Sequence, residues 1–185
     1  MRIVGGRFRG RTLAGPRSDA IRPTSDRLRE TVFNVLAHAY EDPVADARVL
    51  DLFAGTGAMG LEALSRGARF ALFLDESAQA RGIIRENIEA LGLGGSARLF
   101  RRDATRMGDI GPIEPFSLLF CDPPYDRDLA PRALAACRAG GWLAPDALVV
   151  VEESQGAGVA LPDGFDEIER RDYGETSVVF GRYAR

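Results

Sequence analysis

A chain of 185 residues with 45% apolar and 28% charged side chains can build one domain with a substantial core, and it is not the composition of a disordered or disulfide-scaffold protein. Two cysteines, Cys121 and Cys137, and the single histidine His38 show no metal-ligand spacing, which argues against a zinc site and against a Ser-His hydrolase. The net charge of −3 conceals an asymmetry: eight arginines and three acids fall within residues 1–30, a local charge of +5, which leaves −8 for the remainder. Every basic residue is arginine, and guanidinium suits bidentate phosphate contact; a solvated basic tail competes with a nucleic-acid arm as the reading of that segment. No apolar run approaches the roughly 20 residues of a membrane span and no signal-peptide pattern opens the chain, so a cytoplasmic location is expected.

Residues 2–13 alternate loosely around Gly5-Gly6 and Gly10, which predicts a short strand or hairpin. Thr24 or Ser25 can cap a helix with Asp26 in its first turn and Leu28, Val32, Val35, Leu36 and Ala39 on one face. From Val49 onward strands and helices alternate. Strands are predicted over 48–53, 70–74, 97–100, 116–121 and 148–151, and helices over 58–65, 78–91 and 129–138. Near-continuous apolar strands separated by helices imply a mostly parallel sheet covered on both faces, an α/β fold of Rossmann-like type. Segments 165–171 and 177–183 around Tyr173-Gly174 predict a closing antiparallel hairpin. The simplest partition is one domain, 1–185, with residues 1–40 as a basic N-terminal extension.

Ligands of such sheets bind beyond the carboxyl ends of the strands, where Asp51, Asp75, Asp103 and Asp122 fall. Asp51 opens the run Asp51-Leu52-Phe53-Ala54-Gly55-Thr56-Gly57-Ala58-Met59-Gly60, a formal Gly-x-Gly-x-x-Gly that alone points as well to a dinucleotide as to anything else. A carboxylate four residues before the first glycine would repel a pyrophosphate and attract an ammonium. S-adenosylmethionine has the ammonium, a sulfonium, a ribose diol and an adenine, and no phosphate. On that reading Phe53, Ala54, Gly55 and Gly57 form the turn against the methionine end, with the glycines leaving room for the cofactor. Asp51 acts near the ammonium. Asp75, with Glu76 beside it, accepts from the ribose hydroxyls, and Asp103 and the Ala104 amide meet the adenine. Each single Asp also reads as a helix cap or strand-end turn.

The strand over 116–121 ends in Asp122-Pro123-Pro124-Tyr125. Proline cannot donate to a β ladder, so the strand stops there in a stiff loop. An exocyclic amine on a nucleobase is a poor nucleophile because its lone pair is delocalised into the ring. Two acceptors, the Asp122 carboxylate and the Pro123 carbonyl, can each take one N–H and hold the nitrogen toward tetrahedral geometry. Pro123 and Pro124 keep that carbonyl aimed, and Tyr125 offers a face for a base turned out of its stack.

Asp122-Pro123-Pro124-Tyr125 resembles the Asp/Asn/Ser-Pro-Pro-aromatic signature of amino-group nucleic-acid methyltransferases. Arg2-Ile3-Val4-Gly5-Gly6, Arg9-Gly10-Arg11, Arg22-Pro23-Thr24 with Asp26-Arg27, Arg29-Glu30, Phe33-Asn34, Gly60-Leu61-Glu62-Ala63-Leu64-Ser65-Arg66-Gly67, Asn87 and Tyr173-Gly174 extend the resemblance over nearly the whole chain to the RsmD family. That resemblance implies a seven-stranded methyltransferase fold, S-adenosylmethionine as donor, and the N2 amine of one guanine in 16S rRNA as acceptor, within the small ribosomal subunit or an assembly intermediate. Under it Arg7, Arg9, Arg11, Arg22 and Arg27 hold RNA phosphates and place the guanine over Tyr125. A monomer without metal or membrane partner is expected. Related sequences often carry a second acid where this chain has Ser77, with Glu76 adjacent. The competing readings are a DNA adenine or cytosine amino-methyltransferase, a nicotinamide-dependent oxidoreductase, which leaves Asp-Pro-Pro-Tyr unexplained, and a non-catalytic RNA-binding assembly factor, which has no need of Asp122 and Tyr125.

Overall fold

The computed structural model describes residues 1–17, 24–125 and 128–184. Its elements in chain order are α1 (Asp26–Ala39), β1 (Arg48–Leu52), α2 (Ala58–Ser65), β2 (Phe70–Leu74), α3 (Ala78–Ala90), β3 (Ala97–Phe100), β4 (Phe116–Cys121), α4 (Leu129–Ala139), β5 (Leu143–Ser154), β6 (Phe165–Tyr173) and β7 (Thr176–Tyr183). The strands form one seven-stranded sheet in the order β3-β2-β1-β4-β5-β7-β6. β1 to β5 run parallel; β7 is antiparallel to β5, and β6 is antiparallel to β7. The expected mostly parallel sheet with a closing hairpin is the one observed.

Side chains alternate across each strand, and two cores result. Val49, Phe73, Leu118 and Phe120 pack with α1, α2 and α3 on one face. Leu50, Leu52, Leu119 and Cys121 pack with α4 and the fully buried Trp142 on the other. Both cysteines are buried and unpaired, and burial pushes the Cys137 thiol up to about 12. β5 runs well past the predicted 148–151, because its N-terminal part rejoins β4 after a register shift: Phe116 pairs with Leu143, then Leu118 with Leu148. Residues 144–147 stand opposite Ser117 alone, so three extra residues bulge out of the ladder. At the β6 edge, Asp166, Glu167, Glu169, Arg170, Arg171 and Asp172 lie along the strand, and charge of this kind discourages edge-to-edge pairing.

Residues 1–17 form no regular strand. Arg2 and Thr12 make one antiparallel bridge, and a 3-10 turn over Gly6–Phe8 sits between them. This arm is packed down: Ile3 and Leu13 are buried in the same core as Val32 and Phe33 of α1. Residues 1–17 and α1 are therefore built into the core, and not appended to it.

A buried hub holds the arm in place. Glu62 on α2 accepts from the backbone N–H of Val4 (3.0 Å) and of Gly5 (2.8 Å) and from Nε of Arg66 (2.9 Å). Its Oε2 also accepts from Nε of Arg29 at 3.4 Å, with both side chains fully buried. Arg29 donates further to the carbonyls of Arg2 and Thr24 and to Asp26 Oδ1. Ser65 donates to the Gly5 carbonyl (2.7 Å), and a Cβ on Gly6 would stand 2.0 Å from the Ser65 carbonyl oxygen, an approach that glycine permits. Buried Asn87 on α3 donates to the carbonyls of Ala14 and Thr56, both at 3.1 Å, and accepts from the Ala14 N–H at 2.7 Å. The arm is thus tied to the glycine loop.

Candidate active site

The strand order reverses between β1 and β4, which are paired at Leu52 and Cys121. Loops leaving two such strands diverge and open a crevice. One loop is Phe53 to Gly57 and the other begins at Asp122. The resulting cleft of about 1360 Å³ is lined by Asp51 near the end of β1, by Phe53, Ala54 and Gly55 from the first loop and by Asp122, Pro123, Pro124 and Tyr125 from the second. Asp75 and Glu76 after β2 and Asp103 and Ala104 after β3 complete one wall. One cavity therefore gathers every proposed catalytic residue and every proposed cofactor residue except Gly57.

The glycine loop is drawn tight by the acids around it. Phe53 adopts a left-handed backbone (φ 54), a conformation a bulky residue holds only where its surroundings enforce it. The Gly55 N–H donates to Asp75 Oδ2 at 2.9 Å, and the Gly60 N–H in the first turn of α2 donates to Asp51 Oδ2 at 2.9 Å. These amides are of the kind a dinucleotide fold directs at a pyrophosphate. Here they are spent on carboxylates. The donor set therefore suits a ligand with an ammonium and a diol, as S-adenosylmethionine has, and disfavours a phosphate. Gly57 differs from expectation: a Cβ there would meet Ile84 and Phe73 at 3.3 Å. Its missing side chain clears core residues, and its φ of 78 makes the left-handed turn into α2.

Ser77 caps α3, its Oγ accepting from the Ala80 N–H, and its own N–H donates to Asp75 Oδ1 at 2.9 Å. Of the two neighbours of Asp75, Ser77 thus holds the acid in place while Glu76 is exposed at the cleft. Asp103 Oδ1 accepts from both the backbone N–H and the hydroxyl of Thr105, at 2.8 and 2.7 Å, which with nearby Arg106 holds its carboxyl below the usual range.

Burial, with Asp75 adding its negative charge, pushes Asp51 up to about 8, the Gly60 N–H opposing. A carboxyl raised in the folded state binds more protons there than in the unfolded chain, where its pKa is near 3.9. Its stabilising contribution is complete below about pH 4 and is lost as pH rises through about 8. Thermal unfolding of cofactor-free protein across that window, compared with Asp51→Asn, is expected to show the wild type losing on the order of 5 kcal/mol relative to the variant; a constant difference would remove Asp51 as the cause.

Asp122 is half-buried in the cleft. Burial and the Glu152 carboxylate on β5 hold it well above the usual carboxylate range, while the Thr24 hydroxyl, donating to its Oδ2 at 3.3 Å, works the other way. The Tyr125 hydroxyl lies 3.4 Å from Thr176 Oγ1 at the start of β7, and the β6–β7 turn residues Tyr173 and Gly174 line the same cleft. Thr24, Glu152 and Thr176 were not legible as site residues. Each reaches the site from an element distant in sequence.

The arginines expected to meet RNA separate. Arg27 is exposed and lines the cleft. Arg7 and Arg9 are exposed on the arm next to the Phe8 N–H, which donates to Ser65 at the C-terminal end of α2. Arg11 donates to the Ala90 carbonyl at the end of α3. The glycine loop lies at the opposite end of α2, a helix whose length spans ~12 Å, whereas it touches α3 near the arm, where Asn87 donates to the Thr56 carbonyl. Arg22 lies outside the described residues.

A sheet of this order, with an acid-lined glycine loop beside an Asp-Pro-Pro-Tyr strand end, is that of a methyltransferase. A family model described as conserved hypothetical protein 95 matches residues 1–182, and the chain belongs to that family, the RsmD family. It is 40% identical over 153 residues to ribosomal RNA small subunit methyltransferase D of Escherichia coli (strain K12), covering 82% of this chain and 74% of that protein. It is 31% identical over 179 residues to the protein of the same name from Haemophilus influenzae, covering 96% and 91%. A solved structure from Escherichia coli named "Putative methyltransferase yhhF" superposes with a TM-score of 0.83 at 34% identity, covering 100% of this chain and 98% of that one.

Proposed function

We propose that this methyltransferase carries a methyl group from S-adenosylmethionine to the exocyclic N2 amine of a guanine in 16S rRNA, presented in the small ribosomal subunit or an assembly intermediate. The observation that carries the proposal is the single cleft in which the Asp122-Pro123-Pro124-Tyr125 loop faces a glycine loop whose Gly55 amide is held by Asp75, with Asp51 holding the Gly60 amide of α2 behind it. The relatives named small subunit rRNA methyltransferase D supply the acceptor class. Bound S-adenosylmethionine would supply an electrophilic methyl on a sulfonium. The remaining work belongs to the chain.

Asp51 holds the ammonium, Asp75 and Glu76 the ribose hydroxyls, and Asp103 with the Ala104 amide the adenine; Phe53, Ala54 and Gly55 shape the turn against the methionine end. The Asp122 carboxylate and the Pro123 carbonyl each accept one N–H of the target amine, so its lone pair is freed from the ring and aimed. One N–H proton must leave after the N–C bond has formed, and Asp122, raised by burial and Glu152, can receive it. Tyr125, steadied by Thr176, supports the extruded base.

Arg27 meets phosphate at the cleft mouth. Arg7, Arg9 and Arg11 meet RNA farther along the surface, with Arg22 between them in sequence, so residues 1–40 serve RNA binding while remaining part of one domain, 1–185. On this reading the protein acts as a monomer. Among the described residues no helix is long and apolar enough to cross a membrane, and the substrate places the enzyme in the cytoplasm.

The test is transfer of labelled methyl from S-adenosylmethionine to small subunits or 16S rRNA, with duplex DNA and NAD binding as controls. Label in the RNA is expected. Label in DNA, or NAD bound more tightly than S-adenosylmethionine, would overturn the reading.

A further inference from the structure

Asp122 is positioned by more than its own loop. Thr24, in the turn entering α1, lies 98 residues away in sequence, yet its hydroxyl donates to Asp122 Oδ2 at 3.3 Å. The turn that carries it is clamped from several sides. Ser25 caps α1 by accepting from the Leu28 N–H, and the fully buried Arg29 donates Nη1 to the Thr24 carbonyl at 3.3 Å. The same guanidinium is held by Glu62, which in turn holds the arm at Val4 and Gly5. A continuous path of polar contacts therefore runs from the arm through Glu62, Arg29 and Thr24 to the carboxylate at the acceptor site.

Geometry decides what the last contact can do. A carboxylate on a short stem can rotate about its terminal torsion, which is broad and roughly two-fold. Engaging Oδ2 fixes that torsion and leaves Oδ1 for the target amine. At 3.3 Å the contact is longer than the usual hydroxyl–carboxylate bond, so it adds little to the stability of the fold. Among the described residues the charged groups near Asp122 include Asp51 from β1 and Glu152 and Glu153 from β5, with Arg27 of α1, Arg102 and Arg132 of α4 lining the same cleft. Thr24 is the neutral donor among them.

We infer that Thr24 is a positioning residue for methyl transfer: anchored by the Arg29–Glu62 hub, its hydroxyl sets the orientation of Asp122 and so makes the acceptor site depend on the docked N-terminal arm. The inference deepens the proposed function and rests on it for the role of Asp122. A donor to the ionised carboxylate favours the charged form, so losing it raises the pH at which Asp122 ionises.

The experiment compares Thr24→Val and Thr24→Ser with wild type in two readouts. In methyl transfer to small subunits, Thr24→Val is expected to lower kcat roughly tenfold, as loss of one orienting contact to a charged group does. KM for S-adenosylmethionine stays unchanged, and the acid limb of the kcat–pH profile moves to higher pH. Thr24→Ser keeps the hydroxyl and restores both. In protein labelled with 13C at aspartate carboxyls, with the Asp122 resonance assigned through Asp122→Asn, that resonance is expected to titrate at higher pH in Thr24→Val. Should valine disturb the turn, Thr24→Ala removes the same hydroxyl in a smaller volume. An Asp122 titration and a kcat both unchanged by loss of the hydroxyl would overturn the inference, as would a Thr24→Ser enzyme as slow as Thr24→Val. A wild type that transfers no methyl to RNA would instead overturn the functional reading, and the carboxyl titration would still decide whether Thr24 holds Asp122.

Discussion

Asp122→Ala is expected to lower methyl transfer by roughly 10²–10³-fold, the cost of removing one preorganised polar group at a reacting centre, while S-adenosylmethionine affinity stays within about twofold. The selectivity follows from placement. Asp122 leaves β4, whereas the carboxylates that hold the glycine loop, Asp51 and Asp75, leave β1 and β2. Removing Asp122 leaves those bonds in place. Stability should not fall either, because burial and Glu152 already disfavour the ionised carboxyl, and relieving that strain offsets the lost Thr24 contact. Asp122→Asn keeps an acceptor oxygen and should lose less, about tenfold. Single-turnover rates with calorimetric titration of the cofactor check both; undiminished turnover in the alanine variant would contradict the role of Asp122.

Arg29→Ala is expected to cost ~3–5 kcal/mol of folding stability, the range for breaking a buried ion pair by removing one partner. Arg29 is fully buried, and its loss leaves Glu62 buried with one charge partner fewer and frees the carbonyls of Arg2 and Thr24. Replacing both members of an isolated buried pair by apolar residues can be nearly neutral. Here it should not be, since Arg29→Met with Glu62→Leu still strands the N–H groups of Val4 and Gly5. Urea unfolding of the two variants measures this, and a loss below ~1 kcal/mol in Arg29→Ala would show that the arm is held chiefly by Ile3 and Leu13.

The parts of this molecule that a sequence displays are those whose cause is local. Strand alternation with two-sided burial marks β1, β2 and β4, because Val49-Leu50, Ala71-Leu72-Phe73 and Leu118-Leu119-Phe120 can rest only inside a covered sheet. The glycine loop and the Pro123-Pro124 stop are likewise visible where they occur. Arg29 was not, since an arginine on an amphipathic helix reads as surface; its partner Glu62 lies 33 residues away on α2. With Phe33 also buried and Ala39 exposed, the apolar stripe of α1 is wider and ends sooner than the Leu28, Val32, Val35, Leu36 and Ala39 pattern suggests. The charge of the arginine-rich arm is legible, but its docking against α2 and α3 depends on Ser65, Asn87 and Ala90. Thr24 and Glu152 reach the cleft only once β4, β5 and α1 have packed.

The central claim is that the Asp122 carboxylate and the Pro123 carbonyl grip an aromatic exocyclic amine beside a sulfonium-binding loop. Incubating the protein with isotopically labelled S-adenosylmethionine and small ribosomal subunits, digesting the RNA to nucleosides and resolving them by mass tests it most directly. Label is expected in N2-methylguanosine from 16S rRNA and is expected to be lost in the Asp122→Ala variant. Label on a ribose hydroxyl or a ring carbon, neither of which needs two acceptors for an NH2 group, would contradict it.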